Sequence, residues 1–401
     1  MRNEMPITRR CSKLRACRGS LSKTSSYLAA IFYADHSWGR DLLDTGKLSL
    51  GVAWDGGAVR STEIRSTRRL AAQLFVGKNQ AQVVQLASLL FGVCGQAQTA
   101  AAKGALQAAR GDASPLDAAI HEAVTCEAMQ EHLWRLMLDW PKCLSLPQAE
   151  QTFVMRHALL RKIANGESEM SDFRHILERE ELGLTIESWS QIERYAVLQE
   201  WWSKTDSSLA RVLRTLAAQS DVKQDSIPAR LVPAWTGEEV IGACAGRWSN
   251  EFALRPDYRG VAMETGAWSY YADSPLLADV WAQTRSKPLM RLLARVMDLV
   301  AMAREVDQPR LDSASDEAGV GVSVVRTARG LLMHHVRLAE ARVAEYVIVA
   351  PTEWNFHAEG AFTQGLKGLL EQDKTRLLQL AHIEVLSLDP CVAYEVEIHD
   401  A

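Results

Sequence analysis

The sequence predicts an α+β protein that is mainly helical, with a β-hairpin near its N-terminus and short strands near its C-terminus. Residues 47–54 alternate apolar and polar side chains, and the turn sequence Asp55-Gly56-Gly57 precedes a returning strand over 58–64. Helical periodicity recurs between residues 80 and 304. Residues 320–349 are rich in β-branched side chains, which favours two or three strands.

The helices are predicted from apolar periodicity and from the signals at their ends. Ser114 and Pro115 form an N-cap and a first helical position for a helix that extends to Trp140. Pro288 is expected to break a helical pair over 274–304. The remaining predictions are helices over 80–90, 96–109, 147–164, 187–203 and 207–218, a loop over 220–233, and two short helices that lead to Leu388.

Length and composition are those of a folded protein of more than one core. The chain has 401 residues, of which 47% are hydrophobic and 23% are charged, and its net charge is −4. Its apolar stretches are far shorter than the roughly 20 residues that span a bilayer, and it shows no concentrated basic face for nucleic acid. Residues 1–30 are predicted to be a disordered basic extension, because they lack the apolar stretch of a secretory signal. Residues 31–401 are predicted to be one domain, with a hairpin and helical part over 31–233 and a mixed part over 234–401.

The cysteines indicate plain thiols in a reducing cytoplasm. There are seven, an odd number without regular spacing, so a disulfide framework is not expected. Cys126 and Cys244 lie in apolar surroundings typical of buried thiols. Cys94, between Gly92 and Gly95, is predicted to lie at a break between two helices, and Cys391 lies in a proline-marked turn. Spacing alone leaves open whether these two share a metal site.

Five segments in a fixed order resemble signatures of the [NiFe]-hydrogenase large subunit. Leu89-Leu-Phe-Gly-Val-Cys94 is similar to Arg-x-Cys-Gly-x-Cys, and Asp389-Pro-Cys391-Val-Ala-Tyr394 to Asp-Pro-Cys-x-x-Cys. Arg326-Thr-Ala-Arg329-Gly330-Leu-Leu-Met-His334 is similar to Glu-Ala-Pro-Arg-Gly-x-Leu-x-His. Ala350-Pro351-Thr352-Glu-Trp354-Asn355 resembles Val-Pro-Ser/Thr-x-Trp-Asn, and Met263-Glu-Thr-Gly266 resembles a Glu-x-Gly stretch. The resemblance implies a large-subunit-like helical bundle in which Cys94 and Cys391 meet.

The departures from these signatures imply that the nickel chemistry is lost. Active members bind nickel through four thiolates, but Phe91 and Tyr394 occupy the positions of two of them. A phenyl ring cannot bind nickel and a neutral phenol replaces sulfur poorly, so no functional nickel site and no enzyme activity are expected. Three further family residues, used for proton handling and for a magnesium site, are replaced by Thr45, Gln98 and Glu397.

What remains belongs to the iron side of the family's pocket. The resemblance matches Cys94 to a family ligand that touches iron and Cys391 to one that touches only nickel. Cys94 and Cys391 are the candidate ligands for the iron of an Fe(CN)2CO unit, and either Cys391 shifts toward the iron or one thiolate serves with a labile ligand. Arg329 and Thr352 match the family's donors to the two cyanides, and Gly330, Pro351 and His334 are the other candidate residues around that unit.

A large-subunit-like chain with these losses resembles the HupK/HoxV type of hydrogenase expression and formation protein. That resemblance implies a cytoplasmic scaffold for the Fe(CN)2CO unit, with a small HypC-type chaperone, a HypD-type protein and the hydrogenase large subunit as partners. The alternatives are a metal-free module that docks assembly chaperones and a catalytic large subunit with unusual ligation. Only Ile398-His399-Asp400-Ala401 follow Glu397, so no C-terminal peptide is expected to be removed.

Overall fold

The computed structural model of the protein describes residues 46–112, 114–219, 228–305 and 310–401. The predicted extension over 1–30, Thr45 and most of the predicted loop over 220–233 lie outside these residues, and the predicted division of residues 31–401 into two parts stays a prediction. The helices are α1 Gln80–Leu90, α2 Gly95–Ala109, α3 Ala118–Trp134, α4 Trp140–Cys143, α5 Glu150–Ala164, α6 Met170–Leu177, α7 Ile186–Ser190, α8 Tyr195–Lys204, α9 Ser208–Ala218, α10 Gly237–Ala243, α11 Asn250–Leu254, α12 Ala267–Tyr270, α13 Pro275–Thr284, α14 Lys287–Ala303, α15 Pro351–Asn355, α16 Ala361–Leu366 and α17 Lys374–Leu388. The strands are β1 Lys47–Trp54, β2 Val59–Ser66, β3 Leu311–Ser315, β4 Val320–Thr327, β5 Gly330–Ala339, β6 Arg342–Val349 and β7 Ala393–Asp400.

The predicted hairpin is one edge of a three-stranded sheet of order β2-β1-β7. β1 pairs antiparallel with β2 and parallel with β7, with Leu48 opposite Tyr394 and Val52 opposite Ile398. The buried face of the hairpin packs against α16 and α17 through residues such as Leu50 and Leu377. The sheet therefore ties the start of the described chain to the strand that follows Cys391.

A second sheet, the antiparallel meander β3-β4-β5-β6, is covered by α2. The alanine-rich sequence of α2 allows this close packing, because small side chains let the helix backbone approach the strands. Gly321 on β4 shows how close the approach is, since a Cβ atom there would lie 2.1 Å from the carbonyl oxygen of Ala105. α2 and the meander thus carry Cys94 and Arg329 on one rigid layer.

The mainly helical α+β class is confirmed, and several element boundaries differ from the prediction. The helix predicted from Ser114 begins instead at Ala118, because the Asp117 side chain accepts a hydrogen bond from the Ala119 amide at 3.0 Å and caps the helix there. The helical pair over 274–304 breaks before Pro288, which lies in the first turn of α14. The run over 187–203 contains two helices, α7 and α8.

The elements that were not predicted include the helices α6, α10, α11 and α12 and the strands β3 and β7. Two short helices were expected before Leu388. The structure has three helices there, α15, α16 and the longer α17. Within the described residues, none of the helices combines the length and the apolar content needed to cross a membrane.

Candidate functional site

Cys94 lies at the N-cap position of α2, in the predicted break after α1. The amides of Gln96 and Ala97, which open the helix, donate to the carboxylate of Glu127 at 2.7 and 2.9 Å. Glu127 belongs to α3, so this contact fixes the position of Cys94 relative to a second helix. An acidic group at a helix N-terminus is favourable because it satisfies amides that have no partner within the helix.

Cys391 lies just after α17, where Asp389 ends the helix in a left-handed conformation with φ of 52°. The Thr352 hydroxyl donates to Sγ of Cys391 at 3.2 Å and accepts from the Cys391 amide at 3.2 Å. Thr352 follows Pro351, the first residue of α15. The structure therefore brings together the Pro-Thr and Asp-Pro-Cys segments, as the resemblance implies.

Hydrogen bonds also join the other signature segments around this point. Asn355 Nδ2 donates to the Leu388 carbonyl at 3.1 Å, and its Oδ1 accepts from the Thr265 amide at 2.8 Å. Thr265 Oγ1 in turn accepts from the Leu331 amide at 2.9 Å. Gly330 has φ of 131°, and a Cβ atom there would lie 2.5 Å from Cγ2 of Thr265, so only glycine fits this contact. The four segments form one bonded unit.

Arg329 is a buried side chain whose guanidinium is only partly paired. Its Nη2 donates to Oε2 of Glu131 at 2.5 Å. Its Nε lies 3.4 Å from Oδ1 of Asp389, yet it has no hydrogen-bond partner among the described residues. Burial disfavours the charge, but Asp389 and Glu131 favour it, so the pKa of Arg329 lies above its usual range. Arg329 is therefore a fixed cation with one unused buried donor.

The two thiols are close enough for the charge of one to act on the other. Burial raises the pKa of the Cys94 thiol above its usual range, and Cys391 raises it further. Cys94 lines one small cavity together with Glu127, Glu131 and Arg329. A soft cation that binds there displaces the thiol proton, and metal affinity then rises with pH.

Asp389 organises the cationic side of the site. Arg135 Nε donates to its Oδ1 at 2.7 Å and Arg295 Nη2 donates to its Oδ2 at 2.5 Å. Burial alone would raise the pKa of Asp389, but Arg135, Arg295 and Arg329 together hold it below its usual range. The carboxylate stays ionised and fixes the turn that presents Cys391.

The sequence analysis missed the carboxylates of α3. Glu127 and Glu131 are four residues apart, a spacing that places two side chains on one helix face, and both reach the Cys94 cavity. Burial raises the pKa of Glu127 to about 8. The i, i+4 acidic pair was visible in the sequence, but only the tertiary structure shows that its helix packs against Cys94.

His334 does not join the thiols in this structure. Its Nδ1 is 2.8 Å from the Tyr346 hydroxyl and its Nε2 is 2.9 Å from Oε1 of Gln98, so protein groups occupy both ring nitrogens. Burial lowers the pKa of His334 to about 3, which keeps the ring neutral. Gln98, at a position where the family has histidine, thus belongs to a buried polar cluster of its own.

Phe91 and Tyr394, at the two degenerate ligand positions, are also located. Phe91 follows α1 and lines a cavity with Arg68 and Glu353. Tyr394 lies on β7 beside the ring of His382, at a centroid distance of 5.9 Å. Burial raises the pKa of Tyr394 to about 12, so its phenol is neutral at physiological pH. Neither side chain supplies an anionic soft ligand.

Among the described residues there is no group of three or more histidine, cysteine or acidic side chains arranged to hold a metal ion. Cys94 and Cys391 therefore offer at most two thiolates. A metal bound between them has to bring its remaining ligands with it.

Comparisons with known proteins find similar chains. Residues 276–397 match the model of the nickel-dependent hydrogenase family. The hydrogenase expression/formation protein HoxV of Cupriavidus necator is 29% identical, with 83% of this chain and 91% of the relative covered. HupK of Azotobacter vinelandii, a protein with the same description, is 29% identical over 88% of this chain and 98% of its own.

Solved structures show the fold. The Ni-Fe-Se hydrogenase from D. vulgaris Hildenborough superposes with a TM-score of 0.53 at 14% identity, covering 85% of this chain and 95% of that one. The Ni-Fe-Se hydrogenase from Desulfomicrobium baculatum gives a TM-score of 0.52 at 12% identity, with the same two coverages. By sequence the chain is similar to hydrogenase expression/formation proteins of the HupK and HoxV type, and its fold is that of the Ni-Fe-Se hydrogenase large subunits.

Proposed function

We propose that the protein is a non-catalytic maturation factor of [NiFe]-hydrogenases that acts in the cytoplasm. In this role it holds the Fe(CN)2CO unit as cargo before the unit passes to a hydrogenase large subunit. The observation that carries the proposal is the placement of two thiols, Cys94 and Cys391, beside a buried guanidinium with an unused donor, that of Arg329. The names of the relatives, which are expression/formation proteins, support a role in maturation.

The two thiols suit a cargo that arrives with most of its ligands. Two thiolates can complete the coordination of an iron that already carries two cyanides and one carbon monoxide. They are too few to hold a bare soft ion in the four-thiolate manner of an active large subunit. The neutral Phe91 and Tyr394 side chains leave nickel without two of its ligands, which favours a carrier over a catalyst.

Arg329 and Thr352 are the donors for the anionic ends of the cargo. The Nε of Arg329 is a buried N–H without a hydrogen-bond acceptor among the described residues, and a cyanide nitrogen would accept from it. The Thr352 hydroxyl donates to Sγ of Cys391, so it lies within reach of any ligand on a metal held there. Weak coordination by few protein ligands suits a site that has to release what it holds.

The partners of this proposal follow from the resemblance. A small HypC-type chaperone and a HypD-type protein would supply the iron unit, and the hydrogenase large subunit would receive it. The second candidate, a metal-free module that docks assembly chaperones, is favoured by one observation: no group of three metal-ligand side chains exists among the described residues.

Infrared spectroscopy of anaerobically purified protein tests the proposal. The protein is produced together with the machinery that inserts cyanide and carbon monoxide, and iron and nickel are measured in the same sample. We expect iron, little nickel, and absorption bands from bound cyanide and carbon monoxide. Cys94→Ala should abolish these bands and Cys391→Ala should weaken or abolish them, because each variant removes one of two thiolates.

Cys126→Ala is the matched control, since Cys126 is also a buried thiol of the helical part. It should leave the spectrum unchanged. Bands that persist in folded Cys94→Ala protein would place the metal elsewhere. Wild-type protein without iron or bands would support the metal-free docking module, and stoichiometric nickel with hydrogen uptake would support a catalytic subunit.

A further inference from the structure

A second guanidinium, that of Arg68, pairs with the residue that follows Thr352. Arg68 follows β2, and its Nη1 donates to Oε1 of Glu353 at 2.6 Å. Both side chains lie at the rim of the interior, with 16% of Arg68 and 14% of Glu353 exposed. Glu353 is adjacent in sequence to Thr352, whose hydroxyl contacts Cys391. The ion pair is therefore one residue away from the side chain that bonds Cys391.

The position of Arg68 is fixed by its backbone. Gly46 has φ of 77°, and a Cβ atom there would lie 2.6 Å from the Cα of Arg68, so the two segments are in direct contact. The Lys47 amide also donates to the Thr67 hydroxyl at 2.9 Å. These contacts hold the backbone of Arg68 at a position from which its side chain enters the interior.

Arg68 and Arg329 line different cavities. Arg329 shares the small cavity of Cys94 and Glu131, whereas Arg68 lines a cavity with Phe91, Ala350 and Glu353 that opens toward exposed residues such as Leu254. Burial disfavours the charge of Arg68, but Cys391, Glu353 and Cys94 favour it, and its pKa lies above the usual range. Arg68 is thus a second cation within electrostatic reach of the thiols.

We propose that Arg68 is a binding residue for an anionic metal complex held by Cys391 and Cys94, and that it acts from the cavity it lines with Phe91 and Glu353, next to the Thr352 that bonds Cys391. This inference rests on the proposed function and specifies the class of its cargo. Two buried cations beside two thiols disfavour a bare divalent ion and favour a complex whose own ligands are anionic. Glu353 competes with that complex for Arg68, so the pair limits retention and assists release.

Alkylation of the thiols by two reagents of different charge tests the inference without any cargo. Iodoacetate is an anion and iodoacetamide is neutral, and the same thiolate attacks both, so the ratio of their rates reports the local electrostatic field rather than thiol ionisation. Peptide mass spectrometry gives the ratio at Cys391 and Cys94 separately. Arg68→Met should lower the ratio at Cys391 on the order of fivefold, as expected for one nearby charge in a partly solvated site. Glu353→Gln should raise it, because it frees the guanidinium.

Arg65→Met is the control, since Arg65 is in the same segment but 73% of its side chain is exposed. Its ratio should equal that of the wild type. An unchanged ratio at both thiols in folded Arg68→Met protein would overturn the inference. If that variant does not fold, Glu353→Gln decides, and a ratio that does not rise overturns it.

The infrared and alkylation experiments together separate a failure of the proposed function from a failure of the role of Arg68. Wild-type protein without cyanide and carbon monoxide bands, combined with a lowered ratio in Arg68→Met, refutes the cargo and keeps the anion-binding residue. Bands in the wild type combined with an unchanged ratio refute the role of Arg68 and keep the proposed function.

Discussion

Two buried arginines, Arg291 and Arg329, border the same internal cavity and are paired in opposite ways. Arg291 Nε and Nη2 donate to the two oxygens of Glu264 at 2.7 and 2.8 Å, and its Nη1 donates to Glu384 and Ser387, both at 2.7 Å. Arg329 donates to Glu131 alone and keeps an unpaired Nε among the described residues. A fully paired guanidinium has no capacity left for a ligand, so it is structural. An incompletely paired one beside two thiols has that capacity.

The comparison predicts a large loss of stability in Arg291→Met. The variant leaves Glu264 and Glu384 buried without their cation, which costs about 3–5 kcal/mol of unfolding free energy. Urea unfolding measures this loss. Arg255→Met, at an exposed position, should change stability by less than about 0.5 kcal/mol. Folded Arg291→Met protein should still show the cyanide bands, and a selective loss of those bands would erase the distinction between the two arginines.

Arg329→Met should affect retention of the cargo more than the stability of the fold. A charge-assisted hydrogen bond is worth about 1.5–3 kcal/mol, so retention of the cargo should shorten roughly 10- to 100-fold, with shifted cyanide bands. Asp389 keeps Arg135 and Arg295 as partners, and only Glu131 loses its hydrogen-bonded cation. Because Arg291→Met strands two carboxylates, the unfolding free energy should fall by less in Arg329→Met than in Arg291→Met. Retention is followed by infrared spectroscopy during gel filtration. Equal retention in the variant and the wild type would show that Arg329 is as structural as Arg291.

The buried cluster of Gln98, His334 and Tyr346 is structural like Arg291, and the pH dependence of stability tests this. The folded protein keeps His334 neutral to a pKa of about 3, while the unfolded chain binds a proton near pH 6.5. The unfolded state therefore gains a proton first as the pH falls, and stability is lost from about pH 6.5 downward by about 1.4 kcal/mol per pH unit. His334→Asn should lose about 1 kcal/mol less than the wild type between pH 6.5 and 5.5 in urea unfolding.

His399→Asn is the control for this measurement, because 57% of the His399 side chain is exposed. It should follow the wild-type pH profile. If His334→Asn follows it as well, His334 is not held neutral by burial, and its exclusion from the thiol site loses its physical basis.

Much of the fold was predictable from local signals in the sequence. The Asp55-Gly56-Gly57 turn predicted the hairpin, and the glycines around Cys94 predicted a break between helices, because both features depend on residues close in the chain. Ser114 failed as a helix start because Asp117, three positions later, offered a competing cap. β7 left a signal that was not used, the alternation of Tyr394, Val396 and Ile398.

The site was less predictable, since its electrostatics come from distant segments. The ordered motifs led to Cys94, Thr352 and Cys391. Nothing near these residues in the chain indicates that Glu131 pairs with Arg329, that Arg135 and Arg295 share Asp389, or that Arg68 pairs with Glu353. Such pairs depend on how helices pack, and local periodicity carries no information about them.

The parallel pairing of β7 with β1 has a consequence for the order of events during synthesis. Ser49 and Glu395, which share a hydrogen bond across these strands, are 346 positions apart in the chain. Contacts between such distant positions form late, because closing the long loop between them costs conformational entropy before the contacts stabilise the chain. A nascent chain that exposes Cys94 has no Cys391 beside it until the residues between them have left the ribosome. The thiol pair is thus completed late in synthesis, after most of the helical part has emerged.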